Sequence, residues 1–452
     1  MPFASFTKYK THYKENLILA GPIVVSQLGH MATHIADSVI VGQFAGTIPL
    51  AAVSLVNSLF MMVLVIGLGI SYGLTPLIAQ ASGRSDKDEC GRLLSNSLII
   101  NIITGILLYA IIHFGTLGVI DHLGQSADVV HHAKPYLAYL ALSIVPLMIF
   151  QTFKQFAEGL GFTAQAMRIS IIGNVINIIL GIIFVKGMFG IAPMGVKGVG
   201  LSTLIDRSIM AAVMGFYVLR SKHFQAYLQK FRFTFLEKVR SLQIIRIGAP
   251  VAMQYIFEIS AFSGAAVLIG TIGTEQQAAH QVAISLAALT YMVASGVASA
   301  ATIKTGNYFG QKNFTHLRLS AIASYHVVIL FMTCTALLFI FASSLLPFLY
   351  TQDMKVVEIA AQLLIIAGFF QLFDGTQVVG LGVLRGIGDV NVPTYITFLS
   401  YWIIGIPLGY LFGIHLGLGV NGIWYGLTTG LLAASVLLFI RFQRRTKALA
   451  RS

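Results

Sequence analysis

Apolar runs of about twenty residues recur from one end of the chain to the other. At 1.5 Å per helical residue, each is long enough to cross the ~30 Å hydrocarbon core of a bilayer. Across 452 residues, 56% are hydrophobic and only 10% charged, with a mean hydropathy of +0.83. Water-soluble domains carry roughly 25% charged residues, so this chain lacks the polar material to cover its own surface. Membrane β-barrels are built from ~10-residue alternating segments, a pattern the sequence does not show. The fold class read here is an all-α polytopic membrane protein. The basic amino terminus leads into an apolar segment that runs past Asp37 with no small-residue cleavage site, and is read as a retained first span. Cys90 and Cys334 lie in a polar loop and an apolar segment, which suggests neither a disulfide framework nor a thiolate metal site.

Twelve spans are expected, at 18–42, 51–79, 92–115, 136–158, 168–188, 197–220, 246–271, 278–304, 317–342, 356–384, 391–413 and 418–441. With both termini inside, 23 of the 29 Lys and Arg fall in interior segments. Four fall outside (Lys134, Lys186, Lys197 and Lys355), and Arg207 and Lys304 lie within spans. Positive residues accumulate on the cytoplasmic side, so this asymmetry orients the chain as a multi-pass protein of the cell membrane with both termini cytoplasmic. The net charge of +13 is therefore a topology signal and requires no nucleic-acid partner. Residues 221–245 differ from the rest. Phe224, Tyr227, Leu228, Phe231, Phe235, Val239 and Leu242 recur at helical spacing among Lys and Arg, which predicts an amphipathic helix on the cytoplasmic leaflet. It would link an N-terminal lobe, 1–220, to a C-terminal lobe, 246–452.

The halves resemble each other. A shift of 227 residues lays "GISYGLTPLIAQASG" (69–83) over "GVASAATIKTGNYFG" (296–310). The same shift lays "LAAVSLVNS" (50–58) over "QAAHQVAIS" (277–285), and "EGLG" (158–161) over "RGIG" (385–388). A one-residue gap then brings "GPIVVSQ" over "APVAMQY". Six spans per repeat is an even number, so both halves enter the membrane from one side. Two six-helix bundles related by a pseudo-two-fold axis along the membrane normal follow, as in parallel transporter repeats, with a cavity expected between them.

The run "AD…VGQFAG…LAAVSL", the "GISYGLTPLIAQASG" turn, "AAHQVAIS" and "LRGIGD" resemble the MATE (multidrug and toxic compound extrusion) transporters across roughly residues 15–440. A glutamate on span seven is similar to the NorM-like branch. The resemblance implies a secondary antiporter exporting organic cations and amphipathic drugs, driven by inward Na+ or H+. It implies an amphipathic cationic small molecule and the bilayer as partners, with no cofactor beyond the coupling ion. A monomer is expected.

Of the 16 acidic residues, Asp37, Asp206, Glu258 and Asp374 lie within spans. An ionisable group in hydrocarbon costs roughly 2.5–3.5 kcal/mol on insertion scales and is a functional candidate by default. Glu258 lies about 12 residues, or ~18 Å, from the inner end of its span, and Asp374 about 10 residues, or ~15 Å. At matched depth the two can face one cavity. Two such carboxylates favour uptake of a proton or of Na+, a hard ion suited to oxygen ligands. Expelling that ion restores negative charge, which attracts a cationic drug. The competing reading is that Glu258 or Asp374 forms a packing ion pair with Lys304 or Arg207. The resemblance matches Glu258 and Asp374 to the NorM-like cation site. It departs at Phe370, where that pattern often carries a tyrosine, so one hydroxyl ligand for Na+ is lost.

Asp37 matches the family's span-one aspartate, for which Asn174 and Asn177 on span five supply polar support, while Gly181 stands where other branches carry an acid. Gln281 is the supporting polar residue expected on span eight. Asp206 is expected to pair with adjacent Arg207, and His30 and His34 to hydrogen-bond within the lobe or tune Asp37. Aromatic faces attract organic cations, and Phe257, Tyr291 and Phe370, with Phe262, Phe369 and Phe373, are the candidate drug path.

A lipid or lipid-linked glycan flippase is the alternative within the wider superfamily. Such proteins usually need cavity arginines for anionic lipids, whereas the cavity candidates here are acidic. The chain carries no HExxH, GxSxG or GxxxxGK[ST] pattern, and is read as a non-enzyme without an ATP site of its own. A channel also uses acidic rings and is the remaining class.

Overall fold

In hydrocarbon no water is available to satisfy backbone N–H and C=O groups, so a spanning segment closes its hydrogen bonds internally as a helix. A computed structural model describes residues 3–122, 124–233 and 236–449, and no strand occurs among them. Its first long helix is α1, Phe3–Phe44. The next five are α2 (Thr47–Gly83, bent after Ser71), α3 (Lys87–His122), α4 (Ala127–Gly159), α5 (Thr163–Lys186) and α6 (Val196–Arg220). The second six are α7 (Lys238–Gly270), α8 (Thr274–Gly310), α9 (Phe314–Phe341), α10 (Met354–Gly386), α11 (Asn391–His415) and α12 (Gly419–Leu449). Eleven of these are long and apolar enough to cross a membrane. With α1, which contains the expected span 18–42, the count reaches twelve. Several run to 33 residues or more, about 50 Å of helix, so they overshoot the hydrocarbon. Hydropathy registers only the apolar stretch, which is why α7 was expected from 246 and begins eight residues earlier.

The repeat is visible in the turns. Asp86 and Asn313, 227 positions apart, each cap the helix that follows, accepting from Glu89 N at 3.0 Å and His316 N at 3.2 Å. One residue earlier, Ser85 and Lys312 adopt the same left-handed conformation (φ 59° and 58°), unusual for residues with a Cβ. Gly161 and Gly388 form a second pair of equivalent left-handed turns.

The chain divides into two compact units: residues 25–252, and residues 1–24 with 253–452. Val24 and Ala252, where the division falls in α1 and α7, are repeat-related positions. Glycines hold helices close in an equivalent way within each unit. A methyl at Gly69 would collide with the Ala252 backbone, and one at Gly296 with Val24. Gly159 lies over Thr75 and Ile78, as Gly386 lies over Thr302 and Thr305. In the second unit, Gly405, Gly409 and Gly413 of α11 also face Gly430, Gly426 and Gly422 of α12. Small residues permit such approach where lipid offers no hydrophobic drive between helices.

The stretch between α6 and α7 corrects the expectation of an amphipathic helix. It contains one short helix, Lys222–Gln225, then turns; Phe235 lies outside the described residues. Instead of facing lipid, Phe224 is fully buried, with its ring 4.9 Å from Phe162 and 5.5 Å from Tyr217. The backbone is then pinned to the start of α3. Arg232 N donates to Ser95 Oγ (2.9 Å), Glu237 N to Asn96 Oδ1 (2.6 Å), and Arg240 makes a bidentate contact with Glu89. Polar groups on α3 thus satisfy the linker backbone and remove the need for a helix there.

Gly69→Leu should lower the thermal stability of the detergent-solubilised protein by about 1–3 kcal/mol or more, the usual cost of overpacking. Gly21→Leu, at a position with nothing within 4 Å of a Cβ, should leave the melting temperature near that of the parent.

Candidate functional site

Glu258 occupies the middle of α7, is 7% exposed and faces a cavity walled by α7, α8 and α10. Gln254, Tyr255, Tyr291, Ser295, Ser299 and Arg385 supply the polar part of the wall. The volume, about 20 Å³, exceeds the ~10–15 Å³ that one water requires. It suits one ion or water and is far too small for a drug. Tyr291 lies on the same wall near the Glu258 carboxylate, and the Arg385 guanidinium donates toward the Tyr255 hydroxyl. Asp374 is also buried, at 3% exposure, and lies close enough for its charge to be felt at Glu258. Matched depth therefore brings the two acids into electrostatic reach, although only Glu258 forms part of this wall.

Among the described residues, neither acid has a Lys or Arg within ion-pair distance. Lys304 bonds Glu15 at 2.6 Å, and Arg207 belongs to the other unit. The packing ion pair considered from sequence is therefore not formed by either. At Glu15, near the start of α1, burial alone pushes the carboxyl up, but Lys304 and the Tyr308 hydroxyl bring it below its usual range. Another hydroxyl lies near the two acids. Tyr401, on α11, donates to Gln377 Oε1 (3.0 Å) within charge range of Glu258 and Asp374.

The aromatic candidates separate. Phe370 is 2% exposed, its ring 5.2 Å from Trp424 and 6.0 Å from Phe262, so its faces are covered by core packing and do not line a drug path. Phe257 packs on Phe398 at 5.0 Å, while Phe369 is 54% exposed. Gln281 is exposed, donates to Ser285 (3.3 Å) and walls neither cavity described here.

The unit 25–252 holds a second cavity, of about 70 Å³. Its wall carries Asp37, His30, His34, Asn174, Asn177 and Thr203, together with Asp206 and Arg207. Asp37 is thus gathered with the asparagines expected around it. Asp206, expected to pair locally with Arg207, shares this wall with it; each feels the other's charge, although no direct ion-pair contact joins them among the described residues. Arg207 Nη1 donates to Ser143 Oγ (2.7 Å), and its charge reaches Asp206, Tyr136 and Asp37. Buried atoms without a hydrogen-bond partner include Asp37 Oδ1, Asn174 Nδ2, Asn177 Oδ1, Asp206 Oδ1 and His30 Nε2. Five such atoms on one wall mark a site built for polar occupants, since orphaned buried groups are rare. In the same unit a buried ion pair, Lys154–Glu158 (3.9 Å), sits on α4, with Lys154 donating to Ser26 (3.4 Å).

The MatE family profile matches residues 22–183 and again 250–411, one copy per repeat. The chain belongs to the MatE family. A probable multidrug resistance protein NorM from Agrobacterium fabrum is 31% identical over 437 residues, covering 96% of this chain and 94% of that protein. Multidrug resistance protein MdtK from Photorhabdus laumondii is 31% identical over 446 residues, covering 96% of each. The crystal structure of the eukaryotic MATE transporter AtDTX14 superposes with a TM-score of 0.88 over 98% of both chains, at 19% identity, which establishes the shared fold. As a MatE member the protein is a transporter and not an enzyme.

Replacing Arg207 with Met removes the cation from a buried cluster of two acids. A loss of about 3–5 kcal/mol is expected, as for other buried charge pairs deprived of one partner. Adding Asp206→Asn should restore part of it, as read from thermal unfolding of the single and double variants.

Proposed function

We propose that this MatE protein is a multidrug efflux transporter of the NorM type. It works as a monomeric secondary antiporter in the cell membrane, with both termini cytoplasmic, and exports organic cations in exchange for Na+ or H+. The observation that carries this reading is Glu258: a buried acid on an ion-sized, oxygen-lined cavity, with a second acid in charge range and no basic ion-pair partner. Such a carboxylate is neutralised most readily by taking up a small cation. Releasing that cation leaves two like charges in a dry place, and a drug cation then lowers their energy. The two guests compete, and competition is what exchange requires. The names of the NorM and MdtK relatives and the positive-inside charge distribution point the same way.

One observation favours the flippase alternative. Each cavity wall carries an arginine, Arg385 in one and Arg207 in the other, where sequence reasoning had noted only acids. Against it, the Glu258 cavity holds an acid with no basic ion-pair partner among the described residues, which suits a cationic guest rather than an anionic lipid.

Proteoliposomes loaded with a fluorescent organic cation and given separate Na+ and pH gradients distinguish the readings. The parent protein should move the dye under at least one gradient, and Glu258→Gln and Asp374→Asn should each reduce transport to the level of empty vesicles. Parent-like rates in both variants, or labelled-lipid translocation without dye movement, would remove the antiporter reading.

A further inference from the structure

The Glu258 cavity has a second oxygen aimed into it whose orientation is fixed by distant chemistry. Gln254 lies one helical turn before Glu258 on α7 and is 3% exposed. Its amide nitrogen donates to Val390 O (3.3 Å) and Thr394 Oγ1 (3.0 Å). A carbonyl oxygen only accepts, so the end of the amide touching Val390 must be the nitrogen. The Oε1 end is thereby turned away from α11. It is buried and has no hydrogen-bond partner, on a residue that lines the cavity. A buried unpaired acceptor costs about 1–3 kcal/mol, which a cation in the cavity would recover. Ser299 adds a third oxygen. Its hydroxyl proton is directed to Ser295 O (2.9 Å), leaving its lone pairs on the cavity side.

We infer that Gln254, through Oε1, is a ligand of a Na+-sized coupling cation held beside Glu258. The inference rests on reading Glu258 as the coupling carboxylate. An amide oxygen and a hydroxyl whose proton is committed elsewhere do not take up a proton near neutral pH. They do coordinate a hard cation, as backbone and amide carbonyls do in other oxygen sites. A site serving protons alone would need only the carboxylate. The cation already present on the wall, the Arg385 guanidinium, donates toward the Tyr255 hydroxyl, and no ion pair with Glu258 occurs among the described residues. The charge of Glu258 is therefore left for an exchangeable ion, and the neutral oxygens complete the shell that water would otherwise supply.

The test is Na+ binding by the purified full-length protein. Radioactive Na+ uptake and the Na+-dependent rise in melting temperature are both read, with choline holding ionic strength constant. Gln254→Met keeps the side chain's length without the oxygen. Gln254→Asn keeps an amide but withdraws both its ends by one methylene, so the melting temperature without Na+ reads separately what the Val390 and Thr394 contacts contribute to the fold. Each should raise the half-saturating Na+ concentration roughly tenfold, the order expected for one lost ligand bond, and Ser299→Ala should raise it by a smaller factor. A folded Gln254 variant that binds Na+ at the parent's half-saturation overturns the assignment, as does a parent protein that binds no Na+. Glu258→Gln separates the two levels. If it loses Na+ while the Gln254 variants keep it, Gln254 alone is excluded. If it too binds like the parent, the carboxylate reading fails with it.

Discussion

An ionised oxygen in a place without water must be neutralised by something held nearby, and that demand organises both units of this protein. Placing such a group in hydrocarbon costs roughly 2.5–3.5 kcal/mol even on lenient scales. The chain meets the cost in two ways. In the unit 25–252, Arg207 is built permanently into the wall beside Asp37 and Asp206, and Lys154 beside Glu158. In the other unit the wall arginine, Arg385, is engaged by Tyr255, and neither Glu258 nor Asp374 has a basic ion-pair partner among the described residues. The first arrangement carries its counter-charge within the wall. The second leaves two buried acids without one.

The helices serve this end by holding polar groups still. Close approach at Gly69, Gly296 and the α11–α12 glycine series lets backbones pack without side chains between them, so small errors in helix position are resisted by repulsion. A cavity of 20 Å³ has meaning only in such a frame, because a shift of an ångström would open or abolish it. The Gln254 amide shows the same economy. Two acceptors near the start of α11 orient it, and its other end is left to the cavity.

Much of the architecture was legible in the sequence because the bilayer imposes a coarse code. Twelve apolar runs and a repeat at 227 residues depend on length and order alone. Glu258 stood out because no other charged residue lies between Arg246 and Glu275. Features that depend on three-dimensional neighbours were hidden. Gln254 is unremarkable until Val390, 136 residues away, is placed against it. The pairing of Asp206 with Arg207 could be read from adjacency, but not that Asp37 shares the same arginine across the cavity. The helical periodicity of 224–242 was real, yet Phe224 uses it to enter the core, and Asn96 and Ser95 take the hydrogen bonds that a helix would have made. Phe370 was read as a ring available to a drug, and only the positions of Trp424 and Phe262 reveal that both faces are covered.

The repeat has one more consequence, in how its copies differ. Counting from the matched ends of α1 and α7, the place held by Glu258 in one copy is held by His30 in the other. Arg385 likewise corresponds to Glu158, and the position of Leu381 carries Lys154. Such halves are not interchangeable parts: a chimaera made by doubling either copy would inherit the scaffold while losing the division of acids and bases between the two copies.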